Sequence, residues 1–244
     1  MVILREVAQL IRHLWRLPWN VAALAEQGRL RAIPRSDPAT SGEDLFKALC
    51  ASALARSVVI VEEEMPAAII HREHEVFLAE CLAKAPAAGV HCEFGVYSGN
   101  SLNLLAALRP TQRFDGFDSF RGLPEEWTGY RAFDFDRQGK LPDVRDNVRL
   151  HVGLFDATLP AFVQSAGPVA FLHVDCDLYT STVSIFSHLG PKLLPGSVIV
   201  FDEYFGYPGF EHHERKAFAE FLQSSGRKAR WIACCGQRAA CILD

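Results

Sequence analysis

Two short apolar runs in the second half of the chain each end directly in acidic residues. The runs are 171–174 and 198–201, and they are followed by Asp175-Cys176-Asp177 and by Asp202-Glu203. Buried runs of this length are typical of parallel strands in an α/β sheet, and such folds place their sites at the carboxyl ends of the strands. Neighbouring strands lie about 4.8 Å apart. The sequence therefore predicts that these acids converge on one cation or on one substrate hydroxyl.

The composition is that of one α/β domain with an appendage. Of the 244 residues, 49% are hydrophobic, and the net charge of −4 argues against nucleic acid as the main partner. No apolar run approaches the roughly 20 residues that cross a bilayer, and the N-terminus lacks a signal-peptide pattern, so we expect a cytoplasmic protein. The seven cysteines show no paired C-x-x-C spacing, which indicates neither a disulfide framework nor a zinc site.

The pattern changes near residue 90, which predicts an N-terminal helical extension over residues 1–89 and a larger domain over residues 90–244. Between Ile3 and Trp15, apolar residues recur at helical spacing with arginines on the opposite side, which predicts an amphipathic basic helix. Its expected partner is its own domain, a second subunit in a homo-oligomer such as a dimer, or a membrane surface. Two further helices are predicted, over 43–54 with Ser41 as the N-cap, and from 66 or 67 to 84.

After residue 89, short apolar runs alternate with helical stretches, as in βαβ units. Strands are predicted over 90–96, 113–117, 148–152, 169–174 and 197–201. Helices are predicted over 100–108, 181–189 and 214–222, and an antiparallel hairpin over 229–234 and 238–243. The segment 119–147 is long and rich in aromatic residues. It is predicted to form either a lid over the site or a small satellite core.

The loop after the first strand carries two glycines beside the start of a helix. Gly95 and Gly99 permit a sharp turn and the close approach of a ligand to the amides of that helix. Their spacing is not G-x-G-x-x-G, which favours a nucleoside with an amino-acid tail over a pyrophosphate. Asp118 ends the second strand near the spacing at which an acid binds ribose hydroxyls, although it could instead cap a turn. Together these residues favour an adenosine-type ligand.

A family resemblance is carried by five strings in this order: EFGVYSGNS, GFDSFRGLPEEW, HVGLFDATLP, FLHVDCDLYTST and VIVFDEYFGYPG. They resemble the class I S-adenosylmethionine-dependent methyltransferases of the macrocin O-methyltransferase family, which act on sugar hydroxyls of antibiotics. The similarity covers about residues 90–222. It implies a Rossmann-like α/β fold, with a seven-stranded mixed sheet flanked by helices and the last strand antiparallel.

The resemblance implies a binding site for S-adenosylmethionine. Its methionine part would lie against Glu93, Gly95 and Gly99, with Tyr97 and Ser101 close by. Asp118 would hold the ribose beside Ser119, and Gly153, Leu154 and Phe155 would border the adenine. Asp175 is predicted to face the cofactor as well as the acceptor.

The resemblance also implies a magnesium ion bound by Asp175, Asp202 and Glu203. Carboxylate oxygens suit this ion, which would acidify an acceptor hydroxyl and hold it in line with the methyl group. Members of the family carry two aspartates at the end of the fifth strand, so Glu203 is a departure. The alternative for Asp202 and Glu203 is a solvated loop or a salt bridge, and for Asp175 a role toward the cofactor alone.

Asp177 is a candidate general base because it lies in the same acidic turn, and it could equally cap the helix that follows. Asp175 is grouped with it as catalytic because it would hold the reacting hydroxyl. His173 lies inside an apolar strand and is interpreted as a buried structural histidine. His212 and His213 either line the acceptor pocket or lie exposed at a helix start.

The leading hypothesis from the sequence is an O-methyltransferase that uses S-adenosylmethionine and magnesium to methylate a hydroxyl of a sugar, glycan or small glycosylated metabolite. A second hypothesis interprets residues 175–177 as the D-x-D of a nucleotide-sugar glycosyltransferase, but the loop with Gly95 and Gly99 has no place in that scheme. A nicotinamide oxidoreductase is disfavoured by the missing third glycine. The non-enzyme alternative is a cofactor-binding subunit that assembles through the N-terminal helix.

Overall fold

The structure, a computed structural model, describes residues 42–244. Its strands are β1 (Ile69–Ile70), β2 (Val90–Phe94), β3 (Phe114–Asp118), β4 (Val148–Val152), β5 (Val169–Val174), β6 (Leu193–Phe201), β7 (Ala229–Cys235) and β8 (Arg238–Leu243). Its helices are α1 (Gly42–Glu64), α2 (His74–Lys84), α3 (Asn100–Leu108), α4 (Phe155–Ser165), α5 (Tyr179–Leu189) and α6 (Glu214–Ser225). Short 3₁₀ turns cover Gly190–Lys192 and Phe210–His212. The helix predicted between Ile3 and Trp15 and the cap predicted at Ser41 lie outside the described residues.

The strands form one sheet in the order β1-β7-β8-β6-β5-β2-β3-β4. Strand β8 runs antiparallel to both of its neighbours, β6 and β7, and the other pairs are parallel. The predicted mixed sheet with an antiparallel last strand, and the predicted hairpin, are therefore confirmed. The parallel strands β2, β3, β5 and β6 bring their carboxyl ends to one edge of the sheet. That edge carries the acids identified in the sequence.

Helices cover both faces of the sheet because side chains along a central strand alternate between two apolar layers. In β6, Val198 and Val200 pack on one face with helices α2 and α3, whereas Ile199 and Phe201 pack on the other with α4, α5 and α6. These four side chains are fully buried. The continuous apolar run that looked unpatterned in the sequence thus supplies both halves of the core.

Within residues 42–244 the sheet has eight strands and not the predicted seven. The additional strand is β1, which pairs in parallel with β7 through Ile69 opposite Ala233 and Ile70 opposite Cys234. The prediction of one helix from residue 66 or 67 to 84 was wrong at its start, since helix α2 begins at His74. Ile69 and Ile70 are β-branched and largely exposed, so they gain more from backbone pairing with the edge of β7 than from a helix.

Two helices also differ from their predictions. Helix α1 continues to Glu64, ten residues beyond the predicted end, because the buried side chains of Ala53 and Ser57 hold its second half against the core. Helix α4 was not predicted, since Pro160 interrupts its pattern. Every helix within residues 42–244 is too short or too polar to span a bilayer. The proposed division at residue 89 stays a prediction; β1, which precedes it, belongs to the same sheet as the strands that follow.

Candidate active site

A cavity of about 400 Å³ lies at the carboxyl edge of the parallel strands. This size is within the usual range for a small-molecule site. One side of its wall is formed by Gly95, Tyr97, Asp118, Ser119, Gly153, Leu154 and Phe155. The other side is formed by Asp175, Cys176, Asp177, Asp202, Glu203, Tyr207, Gln237 and Arg238. The structure therefore brings most of the predicted cofactor residues and the predicted acids to one space.

Gly95 joins the two sides of the cavity. Its φ is +93°, and a Cβ added there would lie 1.6 Å from the carbonyl oxygen of Asp175. The amide of Asp175 in turn donates to the carbonyl oxygen of Phe94 at 2.8 Å. Only glycine permits this approach, so glycine is required here by the contact between the ends of β2 and β5. The close approach of a ligand to Gly95 stays a prediction.

Asp118 organises the loop that begins at Gly95. Its Oδ2 accepts hydrogen bonds from the amides of Val96 at 2.9 Å and Tyr97 at 2.7 Å, and its Oδ1 accepts one from the amide of Phe120 at 2.6 Å. A carboxylate has about four acceptor positions, so one remains for a hydroxyl in the cavity. The turn-capping function and the ribose function weighed for this residue are thus compatible.

Three of the predicted cofactor residues lie behind the cavity wall and do not line it: Glu93, Gly99 and Ser101. Glu93 is fully buried, and its Oε1 accepts a hydrogen bond from the hydroxyl of Ser101 at 3.0 Å. Gly99 precedes helix α3 with a φ of +78°. The structure places these residues as supports of the loop, and their predicted contact with a cofactor is not visible in this geometry.

The end of β4 supplies an apolar part of the wall. Phe155 packs edge-on against Phe94 with 5.0 Å between the ring centroids, and the amide of Gly153 donates to the carbonyl oxygen of Asp118 at 3.0 Å. Leu154 is 56% exposed toward the cavity and solvent. Apolar side chains beside a carboxylate form a suitable surface for a nucleoside, whose base is flat and whose sugar is polar.

His173 lies fully buried below the acids, as the sequence indicated. Its Nδ1 is 2.9 Å from Glu93 Oε2, and its Nε2 is 3.8 Å from Asp202 Oδ1. Burial alone would lower the pKa of His173, but its contacts with Asp202 and Glu93 outweigh it and raise the pKa to about 10. The ring is therefore protonated at neutral pH and links the two acids.

Asp202 is held by an arginine that the sequence did not identify. Arg238 Nε donates to Asp202 Oδ1 at 2.6 Å, and its NH2 group donates to Oδ2 at 2.9 Å. Burial alone would raise the pKa of Asp202, but the contact with His173 and the charge of Arg238 hold it well below its usual range. Of the two alternatives weighed for Asp202, the geometry in this structure is that of a salt bridge. The predicted hairpin could have indicated this pair, because its second strand pairs with β6 and sets Ala239 opposite Phe201, which brings Arg238 next to Asp202.

The remaining acids, Asp175, Asp177 and Glu203, lie close together, and no ion pair within residues 42–244 balances their charge. One carboxylate oxygen each from Asp175, Asp177 and Glu203 lies within 4.8 Å of the others. Burial, followed by the negative charge of Asp202, raises the pKa of Asp177 to about 7 and that of the carboxyls of Asp175 and Glu203 well above the usual range. Asp177 has a φ of +64°, an uncommon conformation that asparagine and aspartate tolerate best. We call Asp175, Asp177, Asp202 and Glu203 the acidic cluster.

Glu214, at the start of α6, is a second residue that sequence reasoning missed. It is fully buried, and its Oε2 accepts a hydrogen bond from the amide of Glu203 at 3.2 Å. Burial and the charge of Asp177 raise the pKa of Glu214 well above its usual range. Glu203 Oε2 is also buried, and it finds no hydrogen-bond partner among the described residues. An orphaned buried carboxylate oxygen fits a site that binds a hard cation.

The mouth of the cavity is lined with aromatic residues from segment 119–147 and from α1. Trp127 stacks on Tyr130 with 5.0 Å between centroids and meets Tyr207 edge-on at 5.5 Å. Phe46 and Cys50 of α1 complete this wall. In the same segment, Phe120 is buried in the core, so segment 119–147 contributes both to a core and to the cavity.

The two adjacent histidines predicted for the acceptor pocket lie outside the cavity wall. His213 Nε2 is 3.2 Å from the hydroxyl of Thr128, and its ring packs near Trp127 and Tyr207. It therefore supports the aromatic wall from behind. His212 ends the 3₁₀ turn that precedes α6.

Comparison with known proteins bears on this geometry. Residues 92–204 match a family model described as a methyltransferase domain. This match covers slightly less than half of the chain and contains Gly95, Asp118 and the acidic cluster. It ends before the hairpin that carries Arg238.

One curated relative is the 8-demethyl-8-(2,3-dimethoxy-alpha-L-rhamnosyl)-tetracenomycin-C 4'-O-methyltransferase of Streptomyces olivaceus. It is 32% identical over 139 residues, which are 46% of this chain and 51% of the relative. The chain thus spans about half the length of this relative.

Two solved structures share the fold. The calicheamicin methyltransferase CalS11 superposes with a TM-score of 0.55 at 21% identity, over 87% of this chain and 99% of CalS11. The O-methyltransferase NovP superposes with a TM-score of 0.53 at 18% identity, over 81% of this chain and 98% of NovP. At these identities the likeness establishes a Rossmann-like methyltransferase fold, and it leaves the narrower macrocin resemblance a prediction.

Proposed function

We propose that this protein is an S-adenosylmethionine-dependent O-methyltransferase that methylates a hydroxyl of a sugar or glycosylated natural product. The observation that carries the proposal is the single cavity shared by the loop at Gly95, the carboxylate of Asp118 and the acidic cluster. A methyl donor and a hydroxyl acceptor need adjoining sites of these two kinds. The methyltransferase-domain match over residues 92–204 supports the same activity.

The cofactor half is supported by the way the chain exposes backbone and carboxylate groups. Gly95 lines the cavity where the ends of β2 and β5 meet, Asp118 keeps one acceptor position for a ribose hydroxyl, and Leu154 and Phe155 offer apolar surface to a base. When bound, S-adenosylmethionine supplies a methyl group on a positively charged sulfur. The chain's contribution is then to orient this group and to exclude water.

The acceptor half is supported by the acidic cluster and by the aromatic mouth. Asp177 has a pKa near 7, which suits a general base at neutral pH because the ionised form is present and can accept the hydroxyl proton. Asp175, beside it, would position the same hydroxyl. The faces of Trp127 and Tyr130 suit a sugar ring, and the name of the Streptomyces olivaceus relative describes methylation of a sugar hydroxyl.

A divalent cation fits this half of the cavity, because carboxylate oxygens are the ligands that magnesium prefers and Glu203 Oε2 is buried without a partner in residues 42–244. The family resemblance names Asp175, Asp202 and Glu203 as its ligands. When bound, the ion would lower the pKa of the acceptor hydroxyl. A cytoplasmic location, a homo-oligomer and membrane contact through the predicted N-terminal helix stay predictions, as does the absence of a nucleic-acid partner.

Isothermal titration with S-adenosylmethionine tests the proposal first. We expect one binding site per chain, and a well-folded protein that shows no binding would overturn the proposed activity. Methyl transfer is then measured by mass spectrometry on a panel of glycosides, with unglycosylated alcohols as controls. Binding of a nucleotide sugar in place of S-adenosylmethionine would favour the glycosyltransferase alternative.

A further inference from the structure

We propose that Arg238 withdraws Asp202 from cation binding, and that this chain holds its divalent cation through Asp175, Asp177 and Glu203. The inference rests on the proposed function, which supplies the reason for a cation in the cavity. It differs from the ligand set that the family resemblance implies, because Asp177 takes the place of Asp202. The function of Asp177 as general base then applies to the site without a cation, and with a cation bound the ion itself would lower the pKa of the acceptor hydroxyl. Arg238 thereby becomes a positioning residue of the site.

The first observation is the geometry of the pair between Arg238 and Asp202. Both carboxylate oxygens of Asp202 accept hydrogen bonds from the guanidinium, at 2.6 Å and 2.9 Å. A two-pronged contact of this kind uses the oxygen positions that face the arginine and is the strongest form of carboxylate pairing. The side chains of Arg238 and Asp202 are only 17% and 8% exposed, so breaking the pair would leave a buried charge without a partner, which is strongly destabilising.

The second observation is that the backbone fixes Arg238 in place. Strand β8 begins at this residue, and its antiparallel pairing with β6 sets Ala239 opposite Phe201, the neighbour of Asp202. The pair is therefore part of the sheet edge and not a contact between two long side chains on a surface. Arg238 fills two of the about four acceptor positions of Asp202, and His74 Nε2 and His173 Nε2 lie 3.5 Å and 3.8 Å from its Oδ1, so little of this carboxylate is left for a metal.

The third observation is the state of the other acids. Asp175, Asp177 and Glu203 each bring a carboxylate oxygen within 4.8 Å of the others, which is the spacing expected for ligands around one ion. Within residues 42–244, the ion pairs of the acidic cluster all go to Asp202. The orphaned Glu203 Oε2 belongs to the group of three that lacks such pairs.

A second group of candidate donors consists of His173, Asp175 and Asp202. It is the weaker choice, because it includes the aspartate that Arg238 already binds. His173 is also fully buried and engages Glu93 through Nδ1. The three carboxylates provide harder ligands for magnesium than a group with an imidazole.

The test measures cation binding directly on the full chain. Chelator-treated protein is titrated with Mn²⁺, and free Mn²⁺ is followed by electron paramagnetic resonance. We expect Asp177→Asn and Glu203→Gln each to weaken binding by about tenfold or more, as loss of a ligand does. The decisive variant is the double substitution Asp202→Asn with Arg238→Met, which removes the pair without changing the net charge. It is expected to bind Mn²⁺ within about threefold of wild type, because neither residue contacts the ion.

Arg238→Met alone frees Asp202, so it is expected to tighten Mn²⁺ binding by about tenfold, and the gain should vanish in the double variant. A double variant that loses tenfold or more in affinity would show that Asp202 is a ligand and would overturn the inference. Wild-type protein that leaves Mn²⁺ free at millimolar concentration would overturn it too. Arg238→Lys, which keeps the charge but not the two-pronged contact, is used if the double variant fails to fold. It should then tighten binding relative to wild type, and an unchanged affinity would count against the inference.

S-adenosylmethionine affinity is measured in the same samples by titration calorimetry. If the cofactor binds and the Mn²⁺ pattern differs from the expected one, the ligand assignment is wrong and the proposed function stands. If the cofactor does not bind to well-folded protein, the proposed function itself fails.

Discussion

His173 Nδ1 lies 2.9 Å from Glu93 Oε2, and both side chains are fully buried between β2 and β5. Ser101 binds the other oxygen of Glu93, and Asp202 approaches the other nitrogen of His173. A row of polar side chains therefore runs beneath the cavity from Ser101 through Glu93 and His173 to Asp202, with its last step an ion-pair distance of 3.8 Å. Because its members share one low-dielectric space, a change at one end is expected to alter the charge balance at the other.

Glu93→Gln keeps the shape of this chain but removes one charge. Protonated His173 then loses a charge-assisted hydrogen bond, so the free energy of unfolding is expected to fall by about 1–3 kcal/mol. Urea denaturation measures the change. Ser101→Ala removes only the neutral donor and should cost less than Glu93→Gln; the reverse ranking would contradict the assignment of Glu93 to His173.

Gly95→Ala places a methyl group 1.6 Å from the carbonyl oxygen of Asp175, so the ends of β2 and β5 must separate. The unfolding free energy is expected to fall by more than about 4 kcal/mol. A variant that is recovered only as insoluble protein would agree with a loss of this size. Gly196→Ala is a matched control, since Gly196 has the same φ of +93° and no atom within 4 Å of the added carbon. It should cost only about 1–2 kcal/mol from backbone strain. Equal losses in the two variants would refute the close-contact explanation.

Asp118→Asn weakens the loop that borders the cavity, because one of the three amides bound by Asp118 then faces an NH₂ group. We expect S-adenosylmethionine affinity to fall by about tenfold or more, since each hydrogen bond to a charged group contributes about 1.5–3 kcal/mol. Calorimetry measures this affinity. Asp136→Asn serves as the control, because Asp136 also accepts a backbone amide hydrogen bond, from Gln138 at 2.6 Å, but does not line the cavity. Unchanged affinity in Asp118→Asn would remove the proposed ribose contact.

Asp177→Asn removes the carboxylate proposed as the general base in the site without a cation and as a ligand when a cation is bound. The turnover number is expected to fall by about 10²–10⁴-fold, while cofactor affinity stays within about threefold. Initial rates at saturating cofactor and acceptor provide the measurement. Full turnover in the variant would show that Asp177 has a structural role, such as the helix cap that the sequence also allows.

Asp115 provides a pH test at the opposite edge of the sheet. Its Oδ1 accepts hydrogen bonds from Arg113 at 2.6 Å and from His151 at 2.8 Å. Burial alone would raise the pKa of Asp115, but these contacts outweigh it and hold the pKa below the usual value of 3.8. A lowered pKa contributes stability above 3.8 that is lost as the pH falls through the folded-state value.

Wild type is therefore expected to exceed Asp115→Asn by about 1–2 kcal/mol in unfolding free energy at pH 7, with the difference shrinking below about pH 4. Urea titrations at pH 7, 5, 4 and 3 measure it. A difference that stays constant or grows as the pH falls would contradict the assigned direction.

The sequence carried enough information for the strands whose two faces are buried and for the positions that only glycine can fill. Strand β5 and helix α3 have the predicted bounds, because a buried apolar run and a glycine before the helix mark them locally. Strand β4 also has the predicted bounds, and its signal is the alternation of apolar and polar residues in Val148–Val152. Strand β1 escaped prediction because two exposed isoleucines carry no periodicity, and their pairing partner lies more than 160 residues further along the chain.

The acids at the strand ends were also predicted to converge, since the carboxyl ends of parallel strands share one edge. The state of each acid was not predictable in the same way. Asp202 is paired because Arg238 follows a hairpin turn 36 residues later, and Glu203 is held because Glu214 is buried beneath it. Such pairings depend on the register between β6 and β8 and on how deeply each side chain is buried, and neither can be derived from composition or local spacing.

Strand β8 lies between β6 and β7, and it is the last of the eight strands to leave the ribosome. The nascent chain must therefore keep an open slot in its sheet until Arg238 arrives. Until that moment Asp202 lacks its guanidinium partner, and the edges of β6 and β7 are available to other chains. The sheet and the proposed acceptor half of the cavity are thus completed together, so a chain that stalls before β8 is expected to lack the proposed activity and to aggregate.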